Sequence, residues 1–311
     1  MMMQNQFIKN VKHYFKQEGE AWLERLPEII HQCEQKWRVT MEEPYSLSVN
    51  YAAPAKLNDR TQVVVKISIP GEEFSRELEA LKLLQSQSMV ELLDVDQELG
   101  AFLLERIIPG DSLADIEDEE KACRTAARVF RQLTAESPER VQLPTTEERE
   151  KSLAKIIDNH PEGCGPISRS TLLEAKRVFR HLHSTSRKKW VLHGDFHHYN
   201  ILRDGDSTWK VIDPKGLIGE REYDLIQFLL NKLPDENPVT VMGNRIEIFT
   251  KTLQLDRERF LLWGFCHSVL AACWTVEDDG SYHRPFYQAI AAFQQLYKQQ
   301  FHHDISEVAF G

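Results

Sequence analysis

The stretch from Val191 to Gly216, VLHGDFHHYNILRDGDSTWKVIDPKG, constrains this chain more than any other. It sets His193, Gly194 and Asp195 in a loop, Asn200 five positions after Asp195, and Asp213 thirteen positions after that. Two short apolar runs, Ile201-Leu202 and Val211-Ile212, flank a turn at Asp204–Ser207 and predict a small hairpin. Such a hairpin carries Asn200 and Asp213 to the same end. An H-x-D-x-x-x-x-N loop followed by a strand and a second Asp matches the phosphoryl-transfer template, in which the first Asp meets a hydroxyl proton and the other two groups hold a metal. That chemistry leaves a protein mainly positioning and charge neutralisation to perform.

Each residue also has a plain reading. A lone Asp195 is a turn or cap residue, and a lone Asn200 a cap. Together with Asp213 they read as a catalytic base and two oxygen ligands suited to magnesium, a hard cation that takes few ligands from protein. Lys66 lies inside the β-branched run Val63-Val64-Val65-Lys66-Ile67, where a charge is costly unless paired. It shares a strand face with Val64. The next helix offers Glu77 and Glu79 as partners, and Glu77 is preferred because it lies towards the apolar face of Leu81 and Leu84. The alternative is an edge-strand lysine in solvent. His193, His197 and His198 have a spacing that can bind zinc but lack further ligands; His193 reads better as a buried scaffold for the loop. Asp224 opens a predicted helix, either as an ordinary N-terminal cap or as an acceptor for peptide N–H groups of the 193–195 loop. The second is the reading adopted.

The rest of the chain places this motif. Residues 4–36 predict one or two amphipathic helices. Strands follow at 37–40, 45–51 and 61–68, with Ala53–Arg60 as the turn between the last two. A helix over 72–87 and strands at 90–95 and 101–105 complete the first third. Beyond Gly110 the pattern is helical over 117–134, 146–157, 169–186, 222–232, 240–252, 257–275 and 284–302, interrupted by β segments at 190–193, 199–203 and 208–212. The fold expected is α+β and two-lobed, with a β-rich N-lobe at 1–107 and a mainly helical C-lobe at 108–311. A length of 311 residues fits two such units.

Composition narrows the partners. A formal charge of −10 argues against nucleic acid, which needs a basic face, and is compatible with a cationic substrate as well as with simple solubility. No segment is expected to span a membrane: the most apolar run, Phe260–Trp274, is interrupted by His267 and Ser268 and reads as a buried helix. The N-terminus has no signal-peptide pattern. Five scattered cysteines, without a C-x-x-C pair, argue against a disulfide framework and fit a reducing cytoplasm.

Four blocks together resemble the aminoglycoside phosphotransferase superfamily, whose fold is similar to that of protein kinases. They are FSRELEALKLL (74–84), GAFLLERIIPGDSL (100–113), VLHGDFHHYNIL with VIDPKGLIGEREYD (191–224), and LLWGFCHSVLAACWTVEDDG (261–280). More narrowly, they resemble the aminoglycoside/hydroxyurea antibiotic resistance kinases, the branch that includes streptomycin 6-kinases. The resemblance implies a protein-kinase-like fold, ATP and Mg2+ as cofactors, and Asp195 as the base. It implies Asn200 and Asp213 as metal ligands, Lys66 with Glu77 as a phosphate clamp, and Asp224 as the brace of the catalytic loop. It also implies that Glu105, Arg106, Ile107 and Ile108 form a hinge whose backbone meets the adenine. Two departures stand out. No glycine-rich loop precedes Lys66, where Ser48–Ala53 stands instead. Asp213 is followed by Pro214-Lys215-Gly216, so Lys215 either lies near the phosphates or faces solvent.

For the acceptor, a helix ending in Trp274-Thr275-Val276-Glu277-Asp278-Asp279 offers an aromatic wall and carboxylates for a cation, Trp274, Glu277 and Asp278 being the residues singled out. The plain reading is an acidic helix end in water. Three functions remain open: a kinase of streptomycin-like aminoglycosides, a kinase of another hydroxylated amine or sugar, and a non-catalytic nucleotide-binding module. The intact Lys66, Asp195, Asn200 and Asp213 count against the last. Oligomeric state is not legible.

Overall fold

Helical periodicity in the first residues produces α1 (Asn5–Trp37), which breaks at Lys16, where φ is 51°. The computed structural model describes residues 4–308, apart from Thr134 and the side chain of Asp279; the ends of the two expected lobes and the last residue of the expected helix 117–134 lie outside that set. The two arms of α1 fold together. Phe7 meets Trp22 edge-on at 6.1 Å, and a Cβ on Gly19 would lie 2.6 Å from the Val11 carbonyl oxygen, a crossing only glycine permits.

Then come β1 (Val39–Met41), β2 (Tyr51–Leu57), β3 (Gln62–Ile67), α2 (Glu72–Leu83), β4 (Leu92–Asp96) and β5 (Ala101–Glu105). The strands form one antiparallel sheet in the order β1-β2-β3-β5-β4. Val63, Val65 and Ile67 pack with the apolar stripe of α1, whereas Val64 packs on the side of α2 and Phe102. Lys66, with the parity of Val64, is therefore turned towards α2.

The hairpin before Lys66 corrects the sequence expectation. Of residues 45–51 only Tyr51 is strand, and Ala53–Leu57 is strand rather than turn; the turn is confined to Asn58–Arg60. Pro54 made the segment look like a turn. It fits the strand because its nitrogen and carbonyl share a side, and β1 has already ended there, so no ladder donor is missed; its carbonyl takes the Glu42 N–H at 2.8 Å.

After β5 the chain forms β6 (Pro109–Ser112), α3 (Glu119–Leu133), β7 (Ala135–Glu136), α4 (Thr146–Asn159), β8 (Gly163–Cys164), β9 (Ile167–Ser168) and α5 (Arg169–Ser184). β10 (Trp190–Leu192), β11 (Ile201–Asp204), β12 (Thr208–Val211) and β13 (Leu217–Gly219) carry the motif. The expected helix 222–232 is two short pieces, α6 (Arg221–Asp224) and α7 (Ile226–Leu230), with Asn231 already extended. α8 (Pro238–Leu253), α9 (Arg257–Asp279) and α10 (Arg284–Phe301) close the fold.

α9 is longer and more apolar than expected. Its residues 257–278 have the length and composition of a membrane span, contrary to the expectation of none, but 78% of the apolar 18-residue window within it is buried inside the protein. A helix apolar all round belongs at a core centre, and here Trp263, Phe265 and Leu270 lie there. One apolar cluster runs without interruption from α2 and the adjoining sheet face through Met89 and Val90 into these helices. Backbone bonds fix the junction: Val90 N–H to the Val211 carbonyl at 2.9 Å, and Val211 N–H to that of Ser88 at 2.8 Å. The strand bearing Lys66 is thereby held at a set distance from the strand leading to Asp213.

Candidate active site

β10 delivers the chain to His193, whose ring is buried. Its Nε2 lies 2.9 Å from the Ile212 carbonyl and its Nδ1 takes the Asp195 N–H at 3.2 Å. A carbonyl only accepts, so the proton sits on Nε2 and the ring is neutral. Burial pushes this imidazole down to about 4, in keeping with that tautomer. His193 is thus a spacer between the loop and the strand leading to Asp213. The loop is held from the other side by Asp224, whose two carboxylate oxygens accept the N–H groups of His193 and Gly194, each at 2.7 Å. Asp224 does not open a helix, as the sequence suggested; it ends the four-residue α6.

Asp195 follows at once. Burial tends to raise its carboxyl, but His197 and Lys215 more than offset this and hold it below the ordinary range. His197 Nε2 lies 3.4 Å from Asp195 Oδ1. Asn200 donates from Nδ2 to the Asp195 carbonyl at 3.0 Å, and its Oδ1 accepts no hydrogen bond among the described residues. The Ile212 N–H bonds the Asn200 carbonyl at 3.0 Å, which closes the β11–β12 hairpin and puts Asp213 beside Asn200.

Asp213 has a left-handed φ of 62°, which Asp tolerates better than most residues. One carboxylate oxygen contacts the Lys66 ammonium and the other the Lys215 ammonium at 2.9 Å. Burial raises its carboxyl; the two lysines override this and hold it far below the usual range. Lys66, 8% exposed, also bonds Glu77 at 2.5 Å. Burial alone would lower the lysine, but Asp213 and Glu77 hold it above its ordinary value. Glu77 is raised by burial, with Lys66 the main opposing charge. Lys66, Glu77, Asp195, Asn200 and Asp213 therefore converge, from β3, α2, the loop after β10 and the end of β12.

Oxygen chemistry fits a hard divalent cation here. Asn200 Oδ1 and the Asp213 carboxylate are both hard donors, and an ammonium already stands at Asp213 where positive charge is wanted. The histidines do not make a zinc set: His193 is committed as described, His198 stacks on Phe228 at 3.8 Å, and only His197 adjoins Asp195. Among the described residues no group of three or more His, Cys, Asp or Glu side chains is placed to hold a metal.

In the expected hinge, the side chains are engaged elsewhere. Glu105 takes Lys210 at 2.5 and 2.7 Å, and Arg106 takes Gln62 at 2.8 Å and Glu42 at 3.2 Å. Ile107 is buried and Ile108 is 46% exposed, before a cis bond to Pro109. The Ile107 peptide N–H and carbonyl make no intramolecular hydrogen bond among the described residues.

The three acceptor-side residues lie apart from this cluster. Trp274 donates to Ser152 at 3.1 Å, and the Arg149 guanidinium lies over its ring, 5.2 Å from the centroid. Glu277 is 3.6 Å from His160, and Asp278 is exposed; the side chain of neighbouring Asp279 lies outside the described residues. On the same helix α9, seven positions before Trp274, His267 shares a 3.1 Å bond with Tyr223, the neighbour of Asp224. Sequence reasoning missed Arg149, which carries no motif, and passed over His197 as a metal candidate; its spacing from Asp195 was the available signal.

A family model described as aminoglycoside/hydroxyurea antibiotic resistance kinase matches residues 43–280. The chain belongs to that family. This kinase is 27% identical over 279 residues to the streptomycin 6-kinase of Streptomyces glaucescens, covering 86% of this chain and 88% of the relative. It is 29% identical over 258 residues to the streptomycin 3''-kinase of Klebsiella pneumoniae, covering 78% and 91% respectively. In three dimensions the kinase is similar to the choline kinase of Streptococcus pneumoniae, with a TM-score of 0.63 at 16% identity over 88% of this chain and 99% of that one. The protein-kinase-like fold and an ATP-dependent phosphotransferase activity towards hydroxyl groups follow from this membership.

Proposed function

We propose that this kinase transfers the γ-phosphoryl of ATP directly to a hydroxyl of a streptomycin-like aminoglycoside, without a phosphoenzyme. The observation that carries the reading is the convergence of Asp195, Asn200, Asp213 and Lys66 on one centre from β3, the loop after β10 and the end of β12. Asp195, ionised and held by His197, aligns the acceptor hydroxyl and receives its proton. Lys66, fixed by Glu77, neutralises nucleotide phosphate charge. Asn200 and Asp213 would hold magnesium, which when bound neutralises charge on the transferring phosphates. The free peptide groups of Ile107 suit the donor and acceptor edge of adenine, the engaged side chains of Glu105 and Arg106 leaving that task to backbone. Asp224 and His193 keep the base in place.

The acceptor would be bound towards the end of α9, with Glu277 and Asp278 supplying negative charge. One observation favours a second acceptor class, a less cationic hydroxylated amine or sugar: the face of Trp274 already carries a guanidinium, that of Arg149. ATP consumption measured with a panel of aminoglycosides, amino alcohols and sugars decides between them. Stimulation by streptomycin-like compounds supports the first reading, and stimulation by the others alone supports the second. Turnover retained by Asp195→Ala with the active acceptor would remove the assignment of the base.

A further inference from the structure

We propose that Lys215 is a catalytic residue of this kinase, whose ammonium contacts the phosphoryl group while it passes from ATP to the acceptor. The proposal rests on the phosphotransferase reading above and adds a second cation to it, distinct in kind from Lys66.

The backbone of Lys215 is part of the catalytic loop in all but sequence. Its N–H and that of Gly216 both bond the His193 carbonyl, at 2.8 and 3.0 Å. Gly194, with a φ of +82°, allows the approach, since a Cβ there would lie 3.3 Å from the Lys215 Cβ. The stem thus starts against the residue that precedes Asp195, and its ammonium ends 2.9 Å from the carboxylate of Asp213. One ammonium therefore stands beside the metal-side carboxylate on a backbone tied directly to the loop that carries the base.

Mobility separates the two lysines. Lys66 is 9% exposed in its side chain and shared between two carboxylates, so it cannot follow a moving group. Lys215 is 48% exposed and bonds a single carboxylate, so it is not confined as Lys66 is. Its flexible four-carbon stem carries a strongly hydrated point charge suited to following phosphate oxygens. During transfer the acceptor oxygen bonds to the γ-phosphorus and its proton goes to Asp195. The bond from that phosphorus to the β–γ bridging oxygen breaks, and ADP leaves with the electron pair. The charge spread over the three equatorial oxygens is what Lys215 meets. The competing role is a resting counter-charge for Asp213, which would be displaced on nucleotide binding and would contribute nothing to the chemical step.

The full chain with Lys215→Met and with Lys215→Arg distinguishes the two, using an acceptor that the wild-type protein turns over. Lys215→Met is expected to lower kcat by about 100-fold or more, the scale of losing one charge-stabilising donor, with melting temperature unchanged. Its affinity for ADP with magnesium, measured by calorimetry, should change by less than about threefold, because a group acting only on the transferring phosphoryl does not stabilise the product complex. Lys215→Arg, which keeps the charge, should recover at least about a tenth of the rate. A kcat within about threefold of wild type, or tighter magnesium–ADP binding with kcat intact, overturns the proposal in favour of the resting counter-charge. Wild-type protein that binds ATP but turns over no acceptor overturns the phosphotransferase reading itself, and this proposal with it.

Discussion

Lys66 and Asp213, 147 positions apart, share a part-buried ion pair that joins the N-terminal sheet to the strand after the 193–195 loop. Glu77 completes the pair on the other side of the lysine. Removing the lysine alone leaves Glu77 buried without a cation. Lys66→Ala should therefore destabilise the protein by about 3–5 kcal/mol and also weaken ATP binding. The double variant Lys66→Met/Glu77→Leu should recover most of the stability and none of the nucleotide affinity. Urea unfolding and calorimetric titration separate the two effects; recovery of both would remove Lys66 from the nucleotide site.

Asp224→Asn keeps the size of the brace but puts an amide N–H against one of two peptide donors. The loss of position at Asp195 should lower kcat by about 10- to 100-fold, with little change in KM for ATP. Burial pushes the Asp224 carboxyl up to about 7, above its unfolded value of about 3.9. The folded chain then binds the extra proton, so the contribution of this residue to stability falls as pH rises from about 4 to about 7. In the Asn variant that component should vanish from a plot of unfolding free energy against pH, and an unaltered plot would contradict the assignment.

Three buried histidines act in the opposite sense. Burial lowers His193 to about 4, His198 to about 3 and His267 to about 4. Unfolded histidine titrates near about 6.5, so the unfolded chain takes up protons that the folded chain refuses. Stability from these rings is fully present above about pH 6.5 and is lost as pH falls towards the folded values. Three such groups outweigh Asp224, and the urea midpoint should be lower at pH 5 than at pH 7.5. His198→Phe, which preserves the stack on Phe228, should flatten that slope. An identical slope in the variant would show that His198 is not one of its sources.

Arg149 covers the face of Trp274. If a cationic acceptor is to use that face, the guanidinium must leave it. Arg149→Leu is expected to lower KM for cationic acceptors by about fivefold, the equivalent of about 1 kcal/mol of cation–π attraction. A neutral acceptor should be unaffected. Joint replacement Glu277→Gln/Asp278→Asn should act in the reverse direction, raising KM for cationic acceptors while ATP affinity holds. Steady-state kinetics on both variants check the pair of signs, and two unmoved KM values would take the end of α9 out of the acceptor site.

Much of the site was legible because its chemistry is local in sequence. Asp195, Asn200 and Asp213 stand at fixed intervals around one hairpin, and a hairpin turns intervals into positions. Lys66 was legible for a different reason: a lone charge in a β-branched run needs a partner. The N-terminal hairpin was misread because Pro54 is a turn signal until one knows that β1 stops short of it. Helix 222–232 was misread because its two halves turn separately to bury Tyr223, Ile226 and Phe228, which a periodicity count cannot distinguish from one continuous face.

The sequence alone determined which residues are able to do the chemistry and in what order the strands and helices carry them, since both follow from side-chain type and spacing. Tertiary structure decided which of those residues meet. The partner of Lys66, the second bond of Asp213, the double acceptance by Asp224 and the guanidinium over Trp274 all join residues that packing brings together from separate elements. Contacts of that kind depend on how the shared core seats these elements against one another, which is set by many buried side chains at once rather than by any local pattern.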